Sequence, residues 1–518
     1  MSDESPIENA IQLPRPARTS GAYSARPRLL IFVVAYHAES TIAQVLARIP
    51  AEIAKEYDAE VLVIDDASTD RTFEYSGSVR LALPLVVLCN PVNQGYGGNQ
   101  KIGYAYALQH GFDFVALLHG DGQYAPECLP ELVRPLRDGS ADACFGSRMM
   151  VKGNARRGGM PLYKRLGNRI LSWFENRMLR TELTEFHSGY RVYSASALRE
   201  VPFELNTNDF HFDTEIIIQF LIAGFRIKEV PIPTYYGDEI CRVNGMKYAW
   251  NVARAVVRAR AQQLGLFYDR RFDCAKEHPI ARYQPKLNYP SPHSLTLRTV
   301  TAGARVLDLA CASGHIGAAL KRQKGCHVIG VDLYSASADL ALDGFYQCDL
   351  NRDLPVAPGD FDYILLLDII EHLADPELFV ERLRDGLKSR PDVKVLVSTG
   401  NIGFLVTRLA LLFGQFNYGP RGILDRTHTR LFTFSSLRRL FEQCGFRVVE
   451  VRGVPGPYPL ALGDNAISRF LVRFNNLWIR LSKGLFSYQI FMVVQPNPST
   501  DYLLQSAHRH TAARAAAM

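Results

Sequence analysis

A chain of 518 residues is long enough for two or three domains rather than one. Its 47% hydrophobic and 21% charged content is ordinary for a globular protein, and its net charge of +7 is modest: contact with phosphates or an anionic surface is allowed, a solvated basic exterior is the default. Nine cysteines lie scattered with no CxxC pair, which argues against a disulfide framework or a zinc site and fits a reducing compartment.

Residues 1–28 are polar and rich in Pro, Ser and Arg; they read as a disordered lead-in, with no signal peptide. From Leu29, apolar runs of strand length alternate with amphipathic stretches. Strands are expected over 29–35, 60–65, 85–89, 113–118 and 142–146, and helical patterns over 40–49, 97–110 and 126–137. This alternation predicts a mainly parallel sheet covered by helices, in a first α/β domain over 29–265. Residues 266–294, with four prolines in the stretch and many charges, read as a linker. Alternation resumes with strands over 305–310, 327–331, 361–366, 393–398, 446–451 and 488–494, giving a second α/β domain over 295–498 before a disordered tail, 499–518. The longest apolar runs, 216–225 and 404–414, fall well short of the roughly 20 residues of a membrane-spanning helix.

In open parallel sheets, ligands gather beyond the carboxyl ends of the strands. The first tips carry "AYHAE" (35–39) and "VIDDASTD" (63–70). "NQGYGG" (93–98) then runs into a helix whose first N–H groups could face a phosphate. The fourth tip is "HGDGQYAPE" (119–127) and the fifth "GSR" (146–148). Glycines on both sides of Asp121 point to a ligand that needs close access to that carboxylate. Each motif alone has a plain alternative: Asp66 or Ser68 capping a helix, the glycines making a turn. Their ordered succession is the informative observation.

That succession, with "EFHSGYR" (185–191) and "GFRIKEVPI" (224–232), resembles family 2 glycosyltransferases of the GT-A fold, in the branch of dolichol-phosphate mannosyltransferase. The resemblance covers about 29–240 and implies a nucleotide-sugar donor. By position, Ala35, Tyr36 and Glu39 would line the nucleoside pocket and Asp65 would contact base or ribose, with Gly97, Gln123 and Arg148 also on the donor side. Asp121 would hold Mg²⁺ or Mn²⁺ against the diphosphate, and Arg148 and Arg191 would steady the departing charge. The basic stretch 151–161 would close as a lid. Two departures stand out: His119 replaces the first Asp of D-x-D, and Glu185 replaces an Asp. The metal is then held by Asp121 alone with phosphates and water, or with His119 as a second ligand, which Mn²⁺ tolerates better than Mg²⁺. For a hydroxyl acceptor the candidate bases are Glu185, Asp213 and Glu215; a lipid phosphate needs none.

Two basic segments, 163–180 and 246–265, carry Trp and aliphatic residues at helical spacing. Lying in a membrane interface and packing on the sheet are equally weighted readings.

In the second half, "RVLDLACASGHIGAAL" puts Asp308 at a strand end and Gly314 at a helix start, and Asp332 ends the next strand. A tight loop followed by a carboxylate suits an adenosine ribose. Asp349, Asp368, Glu371 and His372 follow near later strand ends. With "DRTHTRLFT" (425–433), this half resembles class I S-adenosylmethionine-dependent methyltransferases of Rossmann-like fold. The resemblance places Asp308, Ala310 and Gly314 beside the methionine part, Asp332 and Leu333 on the ribose and Asp349 on the adenine, with Asp368 also on the cofactor side. His372 and His428 fall on the methyl-acceptor side. Ala310 and Ala312 stand where that family usually has glycine.

The expected protein is a bifunctional enzyme of polysaccharide or glycolipid biosynthesis. It would transfer sugar, with inversion, from a nucleotide-sugar to a lipid phosphate or glycan acceptor, and methylate with S-adenosylmethionine. The alternative is a glycosyltransferase only, with the methyltransferase-like domain a non-catalytic binding or scaffold module. The expected location is cytoplasmic, with peripheral contact at the inner membrane face, and no nucleic-acid partner.

Overall fold

The computed structural model describes residues 26–235, 244–263, 268–274, 287–335, 341–419, 422–500, 502–504 and 507–508. They fall into two compact units, one running to Ala261 and rejoined by a short segment from Asp269, the other holding the rest.

The first unit is built on seven strands: β1 (Arg28–Ala35), β2 (Asp58–Asp65), β3 (Leu85–Cys89), β4 (Phe114–His119), β5 (Ala143–Ser147), β6 (Arg191–Ser194) and β7 (Ile227–Pro231). Their order is β3-β2-β1-β4-β6-β5-β7. The apolar run of β1 follows from its central place, because a strand covered on both faces has no polar side to present. Leu29, Ile31 and Val33 enter the cluster on one face; Leu30 and Phe32 enter the other. Parallel pairing sets Ala35 beside Asp65 and Val34 beside His119, so three predicted tips meet on one rim. The sheet is mainly parallel, as expected, with one reversed strand: β6 runs antiparallel between β4 and β5. Its four residues start at the last position of a motif and are too short for a periodic signal.

The second unit carries β8 (Arg305–Leu309), β9 (His327–Asp332), β10 (Gly344–Gln347), β11 (Tyr363–Leu367), β12 (Lys394–Gly400), β13 (Phe446–Val454) and β14 (Gln489–Pro496). Their order is β10-β9-β8-β11-β12-β14-β13, with β14 antiparallel to both its neighbours. Leu307 and Leu309 pack on one side of this sheet and Val306 on the other.

The linker expected over 266–294 is partly a folded element. Phe272 and Cys274 are buried, Arg271 pairs with Glu215 of the first unit, and the helix Pro292–Thr299 starts inside the expected span. Residues 264–267 and 275–286, the lead-in up to residue 25 and most of the tail from 499 lie outside the described residues. Among the described residues no helix is long and apolar enough to cross a membrane.

Candidate functional site

On the rim of the first sheet, Tyr36 and Glu39 stand exposed, whereas Ala35 and Asp65 lie buried beneath them. The Asp65 carboxylate accepts from the Ser68 amide and hydroxyl, closing the turn after β2. One Asp65 oxygen thus holds the turn, and the other meets the Cys89 thiol at 3.7 Å. Asp66, read as a helix cap, accepts from the Asn90 side chain (2.7 Å) and from the Gln94 and Gly95 amides (2.8 and 2.9 Å). It fastens the glycine-rich loop.

That loop is closed by protein rather than open to a phosphate. The Gly97 amide donates to Asn208 O at 2.8 Å, and a Cβ at Gly97 would come within 2.4 Å of Thr207 O. Gly97 is thus needed for packing. The glycines around Asp121 also answer to the fold. A Cβ at Gly120 would press on Ile42, and Gly122 has φ +79°, a left-handed backbone.

Asp121 itself sits at the rim with its side chain 44% exposed. One carboxylate oxygen accepts from the Gln123 amide at 3.0 Å; the other lies 4.0 Å from His119 Nδ1. Burial holds the His119 imidazole below its ordinary pKa, so it is neutral at pH 7. The two expected metal residues are therefore adjacent, one carboxylate oxygen and one ring nitrogen facing each other.

The other expected catalytic groups are paired inside. Glu185 has no exposed side-chain area; it accepts from the Arg148 amide (2.7 Å), from Asn168 and from the Arg148 guanidinium. Burial raises its pKa, but the Arg148 charge and hydrogen bonds outweigh that and hold it below the usual value. Arg191 donates to the carbonyls of Ser188, Phe186 and Asp213 and lies 3.4 Å from the Asp213 carboxylate. Asp213 also accepts from Tyr96 and Gln100, and Glu215 from the Thr207 amide and Arg271. Buried charges must find partners, and these have theirs within the protein: Glu185 with Arg148, and Arg191 with Asp213.

The expected basic lid is anchored. Asn154 donates to Ile232 O, Ala155 and Met160 are buried, and a Cβ at Gly158 would collide with Thr234 O. Lys152, Arg156 and Arg157 remain exposed along it.

In the second unit, the loop after β8 keeps a glycine-type backbone without glycines: φ is +60° at Ala310, +48° at Ala312 and +65° at Gly314, which opens the helix His315–Lys324. Asp332 accepts from the Ala312 amide (2.7 Å) and the Tyr334 amide (3.0 Å), tying the tip of β9 to this loop. Asp308 is buried below the loop, its pKa pushed up to about 7 by burial and then by Asp332. Leu333 is exposed, and Asp349 accepts from the Asn351 amide. Asp368 is held by Ser398 (2.7 Å) and Gln489 (2.9 Å), which ties the ends of β11, β12 and β14 together.

Beyond β11, Glu371, His372 and His428 bring one ligand atom each within 4.8 Å of one another. The two rings meet edge to face at 4.7 Å, with His372 Nδ1 on Thr427 O (3.2 Å) and His428 Nδ1 on Ile423 O (3.0 Å). Both Nδ1 atoms therefore carry a proton, and in the neutral form of each ring Nε2 has the lone pair. Burial and then Asp368 push the Glu371 carboxyl up to about 8.

Comparison with known proteins resolves the first unit. The model of "Glycosyl transferase family 2" matches residues 30–202. An uncharacterized protein of Methanocaldococcus jannaschii is 30% identical over 214 residues, 41% of this chain and 84% of that protein. This chain belongs to glycosyl transferase family 2. The Undecaprenyl-phosphate mannosyltransferase of Micrococcus luteus is 29% identical to it over 40% of the chain and 82% of that protein. Behind the glycosyltransferase unit, the model described as "Methyltransferase domain" matches residues 268–451. The Ubiquinone biosynthesis O-methyltransferase of Nitrobacter winogradskyi is 32% identical over 30% of the chain, which spans 60% of that protein. The family 2 glycosyltransferase is thus an enzyme chain with two transferase domains.

Sequence reasoning missed two positions in it. Tyr96 looks like a variable residue between glycines, yet its hydroxyl meets both Asp213 and His119. Gly189 looks like part of a motif, yet a Cβ there would lie 2.3 Å from His119 Nε2. Only the folded contacts reveal either.

Proposed function

We propose that this chain transfers a sugar, with inversion, from a nucleotide-sugar donor to a lipid phosphate, and methylates a product of the same pathway with S-adenosylmethionine. The observation that carries the acceptor is the pairing of Glu185, Asp213 and Glu215, each buried and engaged. With the candidate bases engaged, the acceptor must arrive already charged, and a phosphate monoester is charged at neutral pH. The M. luteus relative and a relative from Methanococcus voltae carry undecaprenyl-phosphate and dolichyl-phosphate in their names, which supports the same acceptor class.

His119 and Asp121 fit a divalent cation: a neutral imidazole nitrogen and a carboxylate oxygen face each other across 4.0 Å at an open rim. When bound, the cation supplies positive charge for the departing diphosphate. The chain's own groups do the positioning. The Gln123 amide fixes one Asp121 oxygen, the Glu185 pair fixes Arg148, and Lys152, Arg156 and Arg157 add positive charge after it.

Lipid access is supported by two helices that expose one apolar stripe each while packing another. Leu162–Leu179 exposes Leu166, Ile170 and Trp173 and packs Leu171, Phe174 and Met178; Gly245–Gln263 exposes Met246 and Trp250 and buries Val252, Val256 and Ala259. The buried stripe of each helix packs on the fold, and the exposed stripe is the part a membrane interface would take. In the second unit, Ala466–Leu481 exposes Ile467, Phe470, Phe474, Leu477 and Leu481 beside three arginines and carries no acidic residue, the composition of a helix lying on an anionic bilayer.

The left-handed loop at Ala310–Gly314, with Asp332, Leu333 and Asp349, would hold S-adenosylmethionine, which supplies an activated methyl group. His372 and His428 would take a proton from the acceptor hydroxyl through Nε2. One observation favours a scaffold instead: both Asp332 oxygens already accept backbone amides. Calorimetric titration with S-adenosylmethionine separates the two, since a scaffold releases no binding heat. For sugar transfer, the test is passage of labelled sugar from nucleotide donors into organic-extractable polyprenyl phosphate with Mn²⁺. Label should enter the organic phase with the wild type and fall at least a hundredfold with Asp121→Ala; equal transfer by both would remove Asp121 from the site.

A further inference from the structure

We propose that Tyr96 is a positioning residue: in a relay Arg191–Asp213–Tyr96–His119, it fixes the proton of His119 on Nε2 and so presents the bare Nδ1 as a nitrogen ligand beside Asp121. The inference rests on the metal reading of His119 and Asp121 and extends it to residues that touch no ligand.

The relay begins with charge. Arg191 lies 3.4 Å from the Asp213 carboxylate, and Gln100 donates to its other oxygen at 3.1 Å, so Asp213 is held as an ion and only accepts. The Tyr96 hydroxyl lies 3.0 Å from that carboxylate and 3.1 Å from His119 Nε2. A phenol has one proton. The ionised carboxylate takes it, because a charge-assisted hydrogen bond is the stronger of the two. The Tyr96 oxygen can then meet His119 only as an acceptor, which requires a proton on Nε2. A neutral imidazole carries one proton, so Nδ1 keeps its lone pair, and Nδ1 is the atom that faces Asp121 at 4.0 Å. With the proton on Nδ1, an N–H rather than a lone pair would face Asp121, and Nε2 would compete with Asp213 for the tyrosine proton.

Neighbouring rings pack around His119. It meets Tyr124 edge to face at 5.0 Å and Tyr96 at 5.4 Å, while Gly189 leaves space that any side chain would fill. Tyr96 is in turn stacked on Phe210. A ring nitrogen fixed this way ligates Mn²⁺ more readily than Mg²⁺, which takes oxygen. The relay therefore explains how a histidine can occupy this position without loss of the site, and it names the cation class.

The test uses the full chain and Mn²⁺ alone. Free Mn²⁺ is followed by electron paramagnetic resonance in wild type, Tyr96→Phe and Asp121→Ala, and the His119 ring nitrogens by ¹⁵N spectra of metal-free, histidine-labelled protein, assigned by their loss in His119→Gln. Tyr96→Phe keeps the ring and its stacking, and a thermal melt checks its fold. The expected result is Mn²⁺ affinity about 10- to 100-fold weaker in Tyr96→Phe, as for other groups that orient a ligand from behind. The wild-type spectrum should show a protonated Nε2 and a bare Nδ1, and the variant a mixture. Wild-type affinity in Tyr96→Phe, or a wild-type proton on Nδ1, overturns the relay. If Asp121→Ala alone loses Mn²⁺, the metal reading stands and only the relay falls; if wild type and Asp121→Ala bind Mn²⁺ equally, the metal reading falls with it.

Discussion

Replacing Ala312 with glycine should stabilise the second unit, although the change removes a side chain. Ala312 sits at φ +48°, where its Cβ crowds the neighbouring carbonyl at a cost of roughly 1–2 kcal/mol. Glycine escapes that cost but loses roughly 0.5–1 kcal/mol through the greater freedom of the unfolded chain. The methyl is exposed, so no packing is lost with it. The net gain is about 0.5–1 kcal/mol, or about 2–4 °C per kcal/mol in the transition of a unit of this size. Ala310 at φ +60° should gain less, because its methyl packs on the apolar cluster below the sheet. Differential scanning calorimetry reads both variants, and the transition that S-adenosylmethionine raises identifies the second unit. A lower melting temperature in Ala312→Gly, or an equal gain at both positions, would refute the reasoning that this loop holds a glycine backbone with alanines.

Glu185→Gln should destabilise the first unit by about 3–5 kcal/mol, since it strands the buried Arg148 charge; urea melts would show it, and a loss below 1 kcal/mol would mean that the pair is open to water. Glu371 gives a pH signature. Its folded carboxyl titrates at about 8 and burial is the chief cause. A carboxyl raised on folding contributes stability that is complete below its unfolded pKa, roughly 4.3, and is lost as pH rises through about 8. Glu371→Gln should flatten the melting temperature of the second unit across that window, and an unchanged slope would contradict the burial argument. Vesicles of anionic lipid should carry the full chain upward in a flotation gradient, and Trp173→Asp with Trp250→Asp should weaken that binding; flotation unaffected by both changes would remove those helices from the contact.

Much of the fold was legible because burial on two sheet faces writes itself into the sequence as apolar runs, and β1, β2, β4 and β8 are of that kind. The four-residue strands β6 and β10 were not legible, since nothing in so short a stretch separates a strand from a loop. The site divides along another line. Asp121 and His119 could be found because glycines and a strand tip mark them. The orientation of Glu185, Arg191 and Asp65 could not, because a strand-end carboxylate that faces a ligand and one that closes a turn have the same spacing. Ala310 and Ala312 show the reverse: their residue types argue against a glycine loop, yet the backbone takes that path because Asp332 holds the Ala312 amide.

The central claim, that one chain both glycosylates and methylates, is tested most directly with two labels in one reaction. Wild-type protein is given ¹⁴C-labelled nucleotide sugars, S-adenosylmethionine tritiated on the methyl group, Mn²⁺ and polyprenyl phosphate, and the organic extract is resolved by chromatography. The account predicts both labels in one extractable product, and neither label extracted with Asp121→Ala. Tritium in the extract without sugar donor, or sugar label that never acquires tritium, would contradict it.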